Sequence, residues 1–563
     1  MTDAGSVIRE ETEDAQNMRW IQVPREIDSI VLTHSHTDHV GDTPRASKNN
    51  PDAPIYVPKG TRRTIGTMID EAYKRNKARQ AVLEIDEWYK VSVDRVERLA
   101  IIEKELSSPK VKRWRNADRT AETISHADKK EHREKLEEER EELEMYLWRD
   151  LGFPQNGFRA LYEFIGKPLK QWEVDVSSRE FRIAIRKEHK RRTDLYEEQG
   201  WITQKDVSQA KIKMKEVSLN TSHKIGEVLR WNTKKPITAR FQNSGHMHTV
   251  PATQVLYNLW WDIKVLYSGD RGNRQLPSPY SQADDTGLEN SADALILEST
   301  YGDRIHTERE KELERLDAII LDAVERKEDI IIPTISLDRP IVVMYEIVTR
   351  LIKTGKIEAK DIDMYYFGKM LSGFVESSED HEMMQEIEKY YPNWERLLSP
   401  GEFEKSAGKS RLVIAGWWFL PRDGSPAGGV IESALEQDNL TIIIPNFHGG
   451  PNSNAGRMLA GEKFQATREG HTHKLKHGQN AYYSKAFSGH EDGPGLVEYA
   501  RKVIKAGGTI FLNHGDEKSR EWLRRLLQAD PIIREKDIKI VLPRPEKEYV
   551  IKRALKPKNK KKA

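Results

Sequence analysis

The sequence contains no cysteine among its 563 residues, and this absence limits the chemistry that the chain can carry out. Without thiols it can form neither disulfide bonds nor thiolate metal sites. Any metal ion must therefore be bound by His, Asp and Glu side chains. Catalysis by a cysteine nucleophile is excluded for the same reason, and no GxSxG elbow indicates a serine nucleophile.

Long hydrophobic runs are also missing from the sequence. No stretch approaches the ~18 consecutive apolar residues that a membrane-spanning helix requires. The first residues, MTDAGSVIREETED, lack the charged-then-apolar layout of a secretory signal. We therefore expect a cytoplasmic protein without membrane contacts.

The sequence also lacks an excess of positive or of negative charge. Lys and Arg number 92 and Asp and Glu number 90, so that the formal net charge is only +2. No global basic field attracts nucleic acid, and binding of that kind would require a local basic patch. The length allows two or three domains.

One segment differs in composition from the rest of the chain. From about residue 85 to 225 the sequence is dominated by charge, and its leucines recur at helical spacing. This pattern predicts a helical, hairpin-like arm whose basic residues could follow a phosphate backbone. Its leucine stripe could equally make a homodimer or partner contact, and a solvated helix face is the simplest alternative. The stripe consists of Leu136, Leu143, Leu147 and Leu151.

Apolar strands alternate with helical patterns over much of the remaining sequence. ALILEST, DIIIPTI, RLVIAGWWF and NLTIIIPNF are strand-like, and amphipathic helical stretches lie between several of them. Such alternation predicts a parallel α/β unit. The final stretch, LKPKNKKKA, is basic and low in complexity, and we expect a disordered end there.

A polar cluster, LTHSHTDHVGD, follows the first apolar strand. It places His34, His36, Asp38 and His39 within six positions. Three charged imidazoles so close together would repel one another, whereas a cation that prefers nitrogen and oxygen ligands would stabilise them. We interpret the cluster as part of a metal site rather than as a solvated turn.

Further polar residues follow later strands, where α/β proteins commonly bind ligands. Each is weak evidence alone, because a single His or Asp after a strand is more often a cap or a buried, hydrogen-bonded side chain. Together with the first cluster, they suffice to bind two ions and to leave an acid. They occur in NSGHMHT, YSGD, ALILEST, FSGH and FLNHGD, as His246, Asp270, Glu298, His490 and His514.

The order of these motifs resembles a known family. HxHxDH, GH and SGD resemble the metallo-β-lactamase superfamily, and ESTYG, FSGH and NHGDE resemble its β-CASP branch of RNA-processing nucleases, which includes polyadenylation-nuclease-like and RNase J-like enzymes. The resemblance covers roughly residues 1–70 and 235–550. It implies an α/β fold in which a metallo-β-lactamase αββα sandwich carries an inserted β-CASP α/β domain, here with an additional charged helical insertion.

The resemblance also implies domain boundaries. The metallo-β-lactamase domain would consist of residues 1–85, 226–305 and 482–555, the helical insertion of 86–225, the β-CASP domain of 306–481, and the basic tail of 556–563. Members of the family carry a strand pair before the Asp that orients a metal-bound His. Asp3 matches this Asp, and we therefore expect the first strands to be missing from the given sequence, which would leave Asp3 less firmly held.

The family's functional residues can be carried over to matching positions. Two Zn²⁺ ions would be bridged by Asp270, one of them bound by His34, His36 and His246 and the other by Asp38, His39 and His514. Two such ions can clamp a phosphodiester and activate water. His490, held by Glu298, would protonate the departing 3′ oxygen. Asp38 would accept the proton of the attacking water and release it again. Ser488, Arg339 and Arg457 are candidate phosphate contacts.

We therefore predict a zinc-dependent ribonuclease that cleaves RNA by a two-metal mechanism, as an endonuclease with 5′-to-3′ exonuclease activity on the same site. RNA is favoured because the last family motif carries His514, where the DNA branch has an apolar residue. The alternatives are a DNA nuclease of the same branch, a catalytically weak RNA-binding subunit, and a small-ester hydrolase of the wider fold. The last would not need FSGH or NHGDE.

Overall fold

A computed structural model describes most of the chain. Leu151 and the predicted basic tail lie outside the described residues. The described residues are 1–3, 27–75, 77–107, 126–150, 179, 182–190, 202–230, 233–259, 262–274, 276, 279–334, 337–378, 381–397, 409–416, 426–445, 452–466, 472–544, 547 and 549–554.

The described residues divide into two compact units, and strands occur only in the first. This unit comprises Met1–Ile69 and Gln209–Ala563, and the second comprises Asp70–Ser208. The strands are β1 (Ile30–Val31), β2 (Ile55–Pro58), β3 (Met214–Val217), β4 (Ser222–Arg230), β5 (Thr233–Asn243), β6 (Thr253–Asn258), β7 (Lys264–Tyr267), β8 (Ala292–Leu297), β9 (Asp329–Thr334), β10 (Ile362–Phe367), β11 (Glu395–Leu397), β12 (Ser410–Gly416), β13 (Leu440–Ile444), β14 (Phe464–Gln465), β15 (Thr472–His473), β16 (Gln479–Tyr483), β17 (Ile504–Leu512) and β18 (Lys539–Val541).

Helices connect most of these strands. They are α1 (Thr37–Val40), α2 (Thr43–Asn49), α3 (Arg62–Arg75), α4 (Lys77–Ser107), α5 (His126–Asp150), α6 (Gln204–Ile212), α7 (Arg309–Glu325), α8 (Arg339–Ile347), α9 (Lys369–Ser377), α10 (Glu382–Tyr390), α11 (Pro426–Ala434), α12 (Asn454–Leu459), α13 (Gly493–Val503), α14 (Glu517–Ala529) and α15 (Pro531–Glu535). A π-helical turn (Val348–Ile352) extends α8, and a 3₁₀ turn (Ala359–Asp361) precedes β10.

Two sheets form the part of the first unit that carries the histidine motifs. β1, β2 and β3 make a parallel three-stranded sheet, and a mixed seven-stranded sheet has the order β18-β17-β8-β7-β6-β5-β4. Val31 and Val217 of the small sheet share a core cluster with Phe241 and Val255 of the large one, so the two sheets pack face to face. The other face of the large sheet buries leucines of α13 and α14.

A third sheet has six strands in the order β11-β10-β12-β9-β13-β16, and all its pairings are parallel. Its central strands β9, β12 and β13 are buried at every position. Such unbroken burial is expected of parallel strands, because helices cover both faces of their sheet. The predicted α/β class, including the parallel unit, is confirmed.

The second unit is helical in its described part, with α4, α5 and a further helical stretch over residues 182–190. Leu99 of α4 and Leu136 and Leu147 of α5 are buried, so two leucines of the predicted stripe pack within the unit. Arg98 and Glu139 form an exposed ion pair between the two long helices. No helix in the described ranges is both long enough and apolar enough to cross a bilayer.

The limits of the helical unit differ from the expected insertion of residues 86–225. Asp70–Ser208 form the unit, whereas β3 pairs with β2 and β4 pairs with β5 in the first unit. The physical reason is that sheet hydrogen bonding assigns these strands to the first unit, although their sequence is as polar as that of the arm. In β3 only the first and last residues are buried.

Substitution of Phe241 tests the contact between the two sheets. Its side chain is fully buried opposite Val255, and we expect Phe241→Ala to lower the free energy of unfolding of the first unit by about 3–5 kcal/mol, because a cavity would replace the ring. Chemical denaturation followed by circular dichroism measures the effect. Ile305→Ala, at a side chain that is 78% exposed, is the control and should change stability by less than about 0.5 kcal/mol. Equal effects of the two substitutions would contradict the assigned core.

Candidate metal centre and active site

The first histidine motif lies between strand β1 and helix α2. β1 ends at Val31, and the short helix α1 then places Asp38 and His39 one turn beyond His34. His34 is fully buried and His39 is 2% exposed, so these imidazoles point inward rather than into solvent. A polar turn on the surface would not bury them in this way.

One group of four side chains, which we call the first subsite, consists of His34, His36, His246 and Asp270. Their potential ligand atoms all lie within 4.8 Å of one another. Nδ1 of His36 is 3.1 Å from Nε2 of His34 and 3.2 Å from Nε2 of His246. Oδ2 of Asp270 is 3.5 and 3.6 Å from those two Nε2 atoms.

A second subsite adjoins the first and consists of Asp38, His39 and His514. Nε2 of His514 is 3.1 Å from Oδ2 of Asp38 and 3.2 Å from Nε2 of His39. Asp270 also reaches this subsite, because its Oδ2 is 3.3 Å from Nε2 of His39 and its Oδ1 is 3.6 Å from Nδ1 of His514. Asp270 thus contacts both subsites.

The donor set fits divalent metal ions. Oδ1 of Asp270 is buried and has no hydrogen-bond partner among the described residues. A buried carboxylate oxygen without a partner is costly unless a cation lies nearby. Burial lowers the pKa of His34, His36 and His246, which favours the neutral imidazole that binds metal.

The acidic residue at the centre remains ionised. Burial would raise the pKa of Asp270, but the neighbouring His39 and His514 more than offset burial and hold that pKa well below its ordinary value. Burial likewise opposes charge on His514, yet Asp270 and Asp38 raise its pKa to about 9. The site therefore concentrates negative charge that imidazolium groups or metal ions can balance.

Most of the imidazoles are oriented through their second ring nitrogen, as is usual for metal-binding histidines. Nδ1 of His39 donates to Oδ2 of Asp3 at 2.9 Å, and Asp3 also accepts from the backbone N–H of Thr33. The same carboxylate accepts from the Thr33 hydroxyl, which lies 3.1 Å from Nδ1 of His34. Asp3 thus orients two imidazoles of the cluster.

Two further contacts orient histidines from later motifs. Nδ1 of His246 donates to the carbonyl of Gly489 at 2.8 Å, and Nδ1 of His514 lies 2.8 Å from the Thr300 hydroxyl. In each case Nε2 remains directed at the cluster. Thr33, Thr300 and the Gly489 carbonyl were missed by sequence reasoning. They lie within the motifs LTHSHTDHVGD, ESTYG and FSGH, but the motifs do not show which of their residues bond the imidazoles.

His490 and Glu298 form a separate pair at the edge of the metal cluster. Nδ1 of His490 is 3.0 Å from Oε2 of Glu298, and its Nε2 is 3.9 Å from Oδ2 of Asp270. Burial lowers the pKa of His490, but the carboxylates of Glu298 and Asp270 outweigh burial and raise this pKa above the ordinary value. The other Glu298 oxygen accepts from the backbone N–H of Arg271 at 2.6 Å. Glu298 is thereby fixed as the partner of His490.

Two residues beside His490 were not singled out by sequence reasoning. Nε2 of His306 donates to the His490 carbonyl at 2.8 Å, and the Tyr301 ring lies 5.4 Å from the His490 ring. Tyr301 belongs to the ESTYG motif, which was a usable signal. His306 lies five residues further on, and its position carried no such signal.

The three candidate phosphate contacts lie at different places. The Ser488 hydroxyl is 3.5 Å from the His490 carbonyl, and Arg339 packs so closely against Gly489 that a Cβ there would be 2.8 Å from its guanidinium. Both residues therefore border the metal cluster. Arg457 is exposed on α12, and the described residues give it no contact with the cluster. The phosphate-binding role of all three stays a prediction.

Comparison with known proteins finds two family models that match parts of the chain. Residues 1–131 match the family described as beta-lactamase superfamily domain, and residues 480–543 match the Zn-dependent metallo-hydrolase RNA specificity domain. No curated protein matches the chain. The two domains in this order are the architecture of metallo-β-lactamase/β-CASP RNA-processing nucleases, which confirms the resemblance. The chain is a metal-dependent hydrolase that acts on nucleic acid.

Substitution of Asp3 tests whether the orientation of the imidazoles matters for metal binding. We expect Asp3→Ala to weaken zinc binding by about 10- to 100-fold, because His39 and Thr33 would lose their shared acceptor. Competition with a chromogenic chelator measures the affinity. Thr2→Val is the matched control, since the Thr2 hydroxyl bonds the Tyr257 hydroxyl and not the cluster. Equal affinities of the parent and Asp3→Ala would contradict this role of Asp3.

Proposed function

We propose that this chain, which has the architecture of the metallo-β-lactamase/β-CASP RNA-processing nucleases, hydrolyses RNA phosphodiester bonds with two zinc ions. It acts as an endonuclease and can also trim RNA from the 5′ end on the same site. The observation that carries the proposal is the position of Asp270 between two adjoining metal subsites, beside the Glu298–His490 pair.

The seven side chains of the two subsites would bind the ions, with Asp270 shared between them. When bound, the ions would supply Lewis acidity, which lowers the pKa of water and neutralises charge on a phosphate. Asp38 is 41% exposed, so its carboxylate can exchange a proton between the attacking water and bulk solvent. The buried residues His34 and His39 exclude solvent from the inner side of the cluster.

His490 is the residue best suited to protonate the departing 3′ oxygen. Glu298 accepts the hydrogen bond from its Nδ1 and favours the cationic ring, while Nε2 points toward Asp270. General acid catalysis requires such a proton near the leaving group. His490 is 18% exposed, so its ring is accessible from the solvent side of the cluster.

RNA is the preferred substrate in this proposal. The C-terminal match is to an RNA specificity domain, and both His490 and His514 fall within its residues 480–543. The parallel six-stranded sheet between Asp329 and Tyr483 supports a β-CASP domain over about residues 306–481. The metallo-β-lactamase domain would then comprise the remaining segments of the first unit.

Metal analysis and nucleic-acid cleavage together test the proposal. The purified chain should contain two zinc ions and cleave labelled single-stranded RNA but not DNA of the same sequence. Removal of zinc by a chelator should abolish cleavage and added zinc should restore it, because the ions activate water. A circular RNA, which lacks ends, should also be cut if the enzyme is an endonuclease. RNA binding without cleavage by the zinc-loaded chain would refute the proposal.

Two substitutions test whether a residue binds metal or supplies the proton to the leaving group. His490→Ala should reduce RNA cleavage by about 10²- to 10⁴-fold and retain both zinc ions, because the acid is lost and the ligands remain. Asp270→Ala should lose zinc together with activity, since its carboxylate contacts both subsites. Zinc content and cleavage rate are measured on the same preparations. His223→Ala, at a half-buried position in strand β4, is the control. Loss of zinc from His490→Ala would contradict the assignment of His490 as the acid rather than a ligand.

A further inference from the structure

We infer that one exposed stripe of helix α14, formed by Lys518, Trp522 and Arg525, binds single-stranded RNA beside the active site. A base would stack on Trp522, and the two cations would contact phosphates on either side of it. This inference rests on the proposed ribonuclease function and adds a binding surface outside the metal cluster.

The spacing of the three residues places them on one side of the helix. Positions four and three residues apart lie above one another on an α-helix, so Lys518, Trp522 and Arg525 form a continuous stripe. The helix is anchored by a different face, whose buried residues are Ser519, Leu523 and Leu527. Because that face packs into the protein, the stripe is held rigidly beside it.

Trp522 is unusually exposed for its type. Its side chain is 49% exposed, although a large aromatic surface is usually buried. An exposed indole offers a flat face on which bases of any sequence can stack. Ile532 is the other large hydrophobic residue with substantial exposure among the described residues of the RNA specificity region.

The two cations are available to phosphates. Lys518 and Arg525 are 79% and 68% exposed, and their partners are Asp303 and Glu521 respectively. Ion pairs at such exposure contribute little stability, so a phosphate can replace the carboxylate. A stripe with an aromatic ring between two cations has the chemistry of a single-stranded nucleic acid site, since a protein partner would require a larger apolar area.

The stripe is continuous with the residues assigned to catalysis. The cap of α14 is Asp516, two residues after His514 of the second subsite. Lys518 lies 2.7 Å from Asp303, which is two residues from Tyr301, the residue whose ring contacts His490. Three non-helical residue steps from His514 to Glu517 span at most about 11 Å, and five helical steps from Glu517 to Trp522 add about 7.5 Å, so the backbone of Trp522 is within about 20 Å of His514. RNA bound at the metal cluster would therefore reach Trp522 within a few nucleotides.

Binding measurements on the full chain test the stripe. The parent for this test is zinc-loaded His490→Ala, which should bind RNA without cleaving it, and the probe is a fluorescent oligoadenylate long enough to span the active site and α14. Adding Trp522→Ala should raise the Kd by about 5- to 100-fold, because stacking of a base is lost. Trp522→Phe should retain most of the affinity. Zinc content and the thermal unfolding midpoint verify that each variant is folded.

Matched controls show whether a change in Kd is specific to the stripe or follows from any loss of charge or apolar area. Ile532→Ala removes an exposed apolar side chain elsewhere in the same region, and Arg520→Ala removes a cation from another side of α14. Neither should raise the Kd more than about twofold. Arg525→Ala should also reduce the slope of log Kd against log salt concentration by about 0.7.

The outcomes separate this inference from the proposed function. If the unsubstituted chain cleaves RNA but Trp522→Ala leaves the Kd unchanged, the stripe does not bind RNA and the inference is overturned while the proposed function stands. If Ile532→Ala and Trp522→Ala weaken binding equally, stacking on Trp522 is likewise refuted. If the unsubstituted chain neither binds nor cleaves RNA, both fail.

Discussion

The burial of Asp270 is the constraint on which the rest of the site depends. Its carboxylate is 2% exposed, and one oxygen has no hydrogen-bond partner among the described residues. An ionised carboxylate in that position is costly unless positive charge surrounds it. The surrounding imidazoles and the metal ions that they would bind supply that charge. The loops that follow several strands of two packed sheets therefore converge on one point.

A second set of interactions gives the cluster its orientation. Asp3, Thr300 and the Gly489 carbonyl each bond Nδ1 of an imidazole whose Nε2 lies beside another side chain of the two subsites. Gly489 is also the neighbour of His490, so a single short loop positions both His246, a proposed metal ligand, and His490, the proposed acid. A displacement of that loop would change the metal geometry and the proton donor together. A side chain at Gly489 would have to displace the guanidinium of Arg339, because a Cβ there would be 2.8 Å from it.

The fold was predictable where sequence patterns are strong and local. Unbroken apolar runs such as DIIIPT indicated buried parallel strands, and the structure places that run as β9 in the centre of a parallel sheet. The limits of the helical unit were harder to predict from the sequence. The reason is that β3 has the sequence MKEV, in which only Met214 and Val217 are buried. A polar edge strand cannot be distinguished from a charged helix by composition, and its pairing with β2 is a long-range contact.

The sequence by itself determined which types of side chain are available to the site. The absence of cysteine restricted candidate metal ligands to His, Asp and Glu. The family resemblance then separated the predicted ligands, which include His514 of the NHGDE motif, from the predicted Glu298–His490 pair. Only the tertiary structure decided how those groups meet, because His39 and His514 are separated by 475 positions and approach to 3.2 Å. It also decided which nitrogen of several of the rings faces the cluster and that Trp522 is exposed. Hydrogen-bond partners and solvent exposure are set by packing between distant segments, and no local pattern of residues records them.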